Sequence, residues 1–197
     1  GNSPAISGQS KYAIKSGLGV GIFKGNPASI QLAGDTGYIQ DSGFSTTDDG
    51  NDGGIDFTTA NDALLVGVHN GVFYIDNTTS KPTFANSVAA STTFGTNPNT
   101  NSTDGVAFVN DDPDQEYVVK ADAAVGQAIF GLCGNINDFA AGDAKDGAST
   151  ATFDSGTQAE TKMFRIVRSA EDPDNEDLTA AGANIIVVIN AAANTYR

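Results

Sequence analysis

"VGVHNGVFYID" (Val66–Asp76) holds two apolar pulses on either side of Asn70-Gly71. Asn-Gly between alternating apolar residues is the strongest short hairpin signal, because a tight I′ turn needs positive φ at both central positions. The expectation is a strand over Leu64–Val68, a two-residue turn, and a returning strand over Val72–Ile75.

Similar short pulses recur along the chain, flanked by Gly, Asn, Asp or Pro. They predict strands at Lys11–Lys15, Gly21–Lys24, Ser29–Ala33, Gly37–Gln40, Val106–Val109, Tyr117–Ala121, Ile129–Cys133, Lys162–Val167 and Asn184–Asn190. Tyr117 and Val119 alternate with Glu116 and Lys120, as in a half-buried strand. Ile185–Ile189 is apolar on both faces and predicts a central strand. Three polar stretches are too long for ordinary hairpins: residues 44–56, 92–105 and 139–160. The predicted fold is mainly β: an antiparallel β-barrel or β-sandwich of many short strands with long polar loops and little helix. Residues 1–10 read as an extended N-terminal arm and 11–197 as a single β-rich domain.

Composition agrees. Of 197 residues 39% are hydrophobic, enough for a core, whereas Lys plus Arg total 10. Helix-favouring Glu occurs only at Glu116, Glu160, Glu171 and Glu176. A formal charge of −14 opposes binding to nucleic acid or anionic lipid. The longest apolar run, Ile185–Ile189, is far short of a membrane span. Cys133 has no second cysteine to pair with and reads as a small buried hydrophobe.

The search for chemistry yields no catalytic, cofactor-binding or metal residues. His69 is the single histidine; placed just before the expected turn, it reads as a solvated or hydrogen-bonded turn residue. Gly17-x-Gly19-x-Gly21 runs into Ile22-Phe23 and a Gly25-Asn26-Pro27 turn, without the helix a dinucleotide site requires. The Asp48–Asp56 loop has calcium-like oxygen spacing, but no EF-hand register supplies its closing Glu. The sequons at Asn77 and Asn101 read as chance matches in a Thr-rich chain. "DPD" occurs twice, at Asp112–Asp114 and Asp172–Asp174, each between apolar pulses. Pro fixes φ and Asp caps turns through its side chain, so both knots read as strand punctuation. No metal or cofactor is expected.

Five blocks taken in order carry a resemblance: "IFKGNP" (Ile22–Pro27), "LLVGVHNGVFYID" (Leu64–Asp76), "VNDDPDQEYVVKAD" (Val109–Asp122), "MFRIVRSAEDPDNED" (Met163–Asp177) and "IIVVINAA" (Ile185–Ala192). In that order the chain resembles tailed-bacteriophage head structural proteins, several of which act as capsid decoration (cement) proteins. The resemblance implies a short leader upstream of Gly1 and no enzymatic activity. It further implies a position on the outer capsid surface of a virion, with the major capsid protein as partner and no nucleic acid or membrane contact. Icosahedral shells offer three-fold junctions, so a homotrimer is expected. The long loops and residues 134–139 depart from the pattern. A tail-tube or head-tail adaptor protein would share this composition. So would a glycan- or receptor-binding β module, though the chain has no Trp and five Tyr from which to build aromatic platforms. A carboxylate-pair hydrolase stays formally open, because spacing between aspartates cannot be read from sequence.

Overall fold

A computed structural model describes residues 8–30, 37–41, 65–137, 142–156, 158–160 and 162–191. The strands, in chain order, are β1 (Gln9–Ile14), β2 (Ile22–Phe23), β3 (Pro27–Ile30), β4 (Ile39–Asp41), β5 (Leu65–Ile75), β6 (Pro82–Ala85), β7 (Ser87–Val88), β8 (Gly105–Asn110), β9 (Glu116–Lys120), β10 (Cys133–Gly134), β11 (Ile136–Asn137), β12 (Thr152–Phe153), β13 (Phe164–Ser169) and β14 (Asn184–Ile189). A single 3-10 turn, Gln127–Ile129, is the only helical element among the described residues.

Among the described residues all strand pairs are antiparallel, and isolated parallel bridges join Lys24 to Ala148 and Ala121 to Phe153. The large sheet has the order β1-β8-β5-β3-β4, with β6 added to the far half of β5. The second sheet is β10-β13-β14-β9, and β2-β7 and β11-β12 form two-stranded ribbons. Alternation explains the large sheet: Gly105, Ala107 and Val109 of β8 are buried while Val106 and Phe108 turn outward. Ile14 of β1 and Ile39 of β4 lie at opposite ends of the strand order, yet both belong to one core cluster with Val66, Val72, Phe94 and Val109. The sheet therefore curls round its core without being hydrogen-bonded shut. A second cluster gathers Leu65, Phe153, Met163, Phe164, Ile166, Ile185 and Val187 between the sheets. Each such side chain contributes roughly 1.5–3 kcal/mol on burial. β14 lies inside its sheet and is buried on both faces, as the β-branched run predicted.

The expected hairpin at Asn70-Gly71 does not form. β5 runs unbroken from Leu65 to Ile75, and the register slips by one residue against β8 between His69 and Gly71. Gly71 alone of the pair has positive φ (141°), so Asn-Gly makes a bulge rather than a turn. Tertiary pairing overrides the local signal: β8 lies along one edge of β5 through the bulge, while β3 and β6 share the other.

Three further expectations are corrected. The strand predicted at Ile129–Cys133 is instead the 3-10 turn followed by Gly131 (φ 88°), and pairing starts only at Cys133. Gln9 and Ser10, assigned to the arm, already pair with Asn110 and Val109. The stretch 139–160 contains β12, and Ser149 bridges Gly142. Residues 44–56 and most of the arm lie outside the described residues.

Candidate functional site

The acidic knots are turns. Asp114 N–H donates to Asp112 Oδ1 at 2.9 Å, and Asp174 N–H donates to Asp172 Oδ1 at 3.1 Å. Asn184 Nδ2 donates to the other oxygen of Asp172 at 2.7 Å, tying that knot to the start of β14. The same template recurs at Asp76 and Asp177, which accept from Thr79 and Thr179. Donated hydrogen bonds hold these carboxyls below their ordinary range: chiefly from the Asp174 N–H for Asp172, the Thr79 N–H for Asp76 and the Thr179 hydroxyl for Asp177. Their stabilisation is complete above the unfolded carboxylate range near pH 4 and is lost as pH falls through the depressed folded values. No group of three metal-ligating side chains exists among the described residues. Asp112→Asn and Asp172→Asn are each expected to lower the melting temperature by less than about 4 °C. A calorimetric scan that shows a much larger loss, abolished by chelator, would overturn the turn assignment.

His69 departs most from expectation. It is not a turn residue but lies within β5, 1% exposed and opposite Val109. Its Nε2 lies 3.3 Å from the Gln40 carbonyl oxygen, and its buried Nδ1 has no partner. Burial lowers its pKa to about 4, only partly opposed by the Gln40 hydrogen bond. The ring is thus neutral, with its proton on Nε2 facing the carbonyl. Cys133 is buried as expected, and desolvation raises its thiol pKa. Gly17 sits in a turn at φ 79°, donating to Thr92 O, which is the geometry of a loop closure.

Two surface features stand out instead, and neither was read from the sequence. On the outer face of the large sheet, Phe84 is 73% exposed. Its ring lies 4.6 Å from Phe73 and 6.4 Å from Phe108, centroid to centroid. Lys11 Nζ sits 6.0 Å from the Phe108 ring centroid. The register builds this strip: Phe73 faces Phe84 across β5–β6, and Phe108 faces Lys11 across β8–β1. Asn70 and Asn86 border it in a shallow hollow. Counting Trp and Tyr in the sequence missed it; the signal was Phe108 on the outward register of an alternating strand.

The second feature is a groove of about 350 Å³ between the sheets, running along β9. Val68, Phe164 and Val187 make its apolar floor, and Lys24, Lys120 and Ser149 border it. Neither lysine is ion-paired with another described residue. Tyr117 donates to Asn110 O at 3.0 Å at one end. Burial, with Asp111 and Asp112 nearby, raises the Tyr117 pKa, so its phenol stays protonated.

No protein-family model, curated protein or solved structure matches this chain.

Proposed function

We propose that the chain is a non-enzymatic virion structural protein: a decoration (cement) protein on the outer surface of a tailed-phage head, where it stabilises junctions between subunits of the major capsid protein. The aromatic strip carries the reading. Phe84, turned to solvent on a stiff antiparallel sheet with the Phe73 ring centroid at 4.6 Å and that of Phe108 at 6.4 Å, forms the kind of preorganised apolar anchor that supplies binding energy between proteins. The ordered sequence blocks supply the setting, and the charge of −14 favours the outside of the shell over its DNA-facing side. Three copies would match the local symmetry of a junction. The loop 92–105, tied down by Asn97 N–H to Ser102 O and by the Asp76–Phe94 bridge, is one contact surface under this reading. Residues 1–10, 44–56 and 139–160 are the others.

The test is removal. Heads lacking the chain are expected to assemble but to rupture at lower temperature or lower salt than complete heads. Heads that fail to assemble, or that are equally robust, would contradict the proposal. A glycan-binding module is the second reading, favoured by the amides of Asn70 and Asn86 beside the exposed Phe84 ring. Glycan binding by the isolated chain that is lost in Phe84→Ala would select it.

A further inference from the structure

The groove between the sheets offers little free backbone to an added strand. Ala121 bridges Phe153 in parallel, Asp122 N–H donates to Phe153 O, and Gln115 Nε2 donates to the Glu116 carbonyl. What the groove presents is side-chain surface. Pro27 and Val68, paired across β3 and β5, line one wall, and Phe164 and Val187 of the second sheet line the other. The Tyr117 ring stands edge-on to Phe164, with 6.5 Å between centroids. Its hydroxyl is spent on Asn110 O, so the ring serves the groove as a further apolar wall. A volume of about 350 Å³ lies in the range of small-molecule sites, which are mainly apolar with a few placed polar groups. Here the polar groups are on the rim. Ser149 N–H donates to Lys24 O at 2.8 Å, which sets these two residues side by side. Ser149 Oγ accepts from Ala151 N–H at 3.1 Å, which leaves its hydroxyl proton to donate. Lys120, its Cε beside Gly182, adds a second ammonium on the β9 side. No Asp or Glu is among the described lining residues, although the chain has 24 acidic side chains. Apolar walls under a rim of cations select an amphiphile with a negative head.

We propose that this groove is a binding site for a small aliphatic carboxylate. The aliphatic chain lies against Val68, Phe164 and Val187, and the carboxylate is held by the Lys24 ammonium and the Ser149 hydroxyl, with Lys120 adding to the positive field. An alcohol of the same length buries the same chain but forgoes the charge-assisted hydrogen bonds. The inference does not rest on the decoration reading: it concerns the isolated chain, so a head stabilised by this protein and a groove that binds nothing can both be found, and so can the converse.

The experiment titrates the full chain, its Val and Ile methyl groups labelled for NMR, with octanoate, 1-octanol and butanoate. Octanoate is expected to bind with a sub-millimolar Kd, at least tenfold tighter than 1-octanol, and to give NOEs to the methyls of Val68 and Val187. Butanoate should bind at least tenfold more weakly than octanoate, since each buried methylene is worth a factor of about four. Lys24 and Lys120 are exposed, so Lys24→Gln with Lys120→Gln should leave the melting temperature within a few degrees. That double variant is expected to bind octanoate no more than twofold tighter than 1-octanol. Phe84→Ala should leave the octanoate affinity unchanged, because Phe84 does not line the groove. No octanoate binding at millimolar concentration, equal affinity for octanoate and 1-octanol, or NOEs to the Phe84 strip in place of the groove would overturn the proposal. A carboxylate preference that survives in the double variant would overturn the head-group assignment.

Discussion

Lowering the pH from 7 to 5 is expected to destabilise the fold by about 2 kcal/mol, and lowering it to 4 by roughly 3 kcal/mol, through His69 alone. In the unfolded chain this histidine titrates near its ordinary 6.5, whereas in the folded chain its pKa is about 4. Between those values the unfolded state holds a proton that the native state refuses, so stability rises with pH through the window and is complete above it. The physical cause is local. Nε2–H already faces the Gln40 carbonyl, and a proton on Nδ1 would be a buried charge with no acceptor. Because the chain has one histidine, the assignment is direct: denaturant unfolding at pH 7 and 5 gives the slope, and NMR titration of the imidazole gives the folded pKa. A folded value near 6.5 would contradict the burial argument. His69→Gln should flatten the slope between pH 7 and 5 whatever its effect on absolute stability.

The second large effect is expected from one methyl group. Gly67 lies where β5 packs against β8, and a Cβ there would run into the backbone carbonyl of Asn110 and approach Val109 Cγ1 within 2.9 Å. The obstacle is backbone in a paired strand, so nothing can swing aside. Gly67→Ala is expected to cost about 3 kcal/mol, at the upper end for overpacking, and to lower the melting temperature by roughly 10 °C. Gly126→Ala is the control. Its φ is −68° and a Cβ there meets open space, so its melting temperature should be unchanged within about 1 °C. Equal melting temperatures for the two variants would mean that β5 and β8 do not approach as closely as described.

What could be read from the sequence depended on whether a strand's burial is written in its own residues. β14 and β9 were legible because one is β-branched on both faces and the other alternates cleanly. The antiparallel, many-stranded class followed from the same pulses. β5 was misread because Asn70-Gly71 satisfies two geometries, a turn and a bulge, and only the presence of β8 alongside selects the bulge. β6 escaped notice because Pro82, Thr83 and Ala85 look like loop, and its pairing is dictated by the far half of β5. Misplacing that turn also misplaced His69 at a surface. The Asp-Pro-Asp knots were legible as turns, since their hydrogen bonds close within two or three residues. The Phe73–Phe84–Phe108 strip was not, because it joins residues distant in the chain.

The central claim, a decoration protein outside a phage head, is tested most directly by a cryo-electron reconstruction of intact particles. The account predicts density for this β-rich body on the outer surface, in groups of three at junctions between capsid subunits, with the Phe84 face against the shell. Density for this chain in the tail tube, or inside the shell beside the DNA, would contradict it.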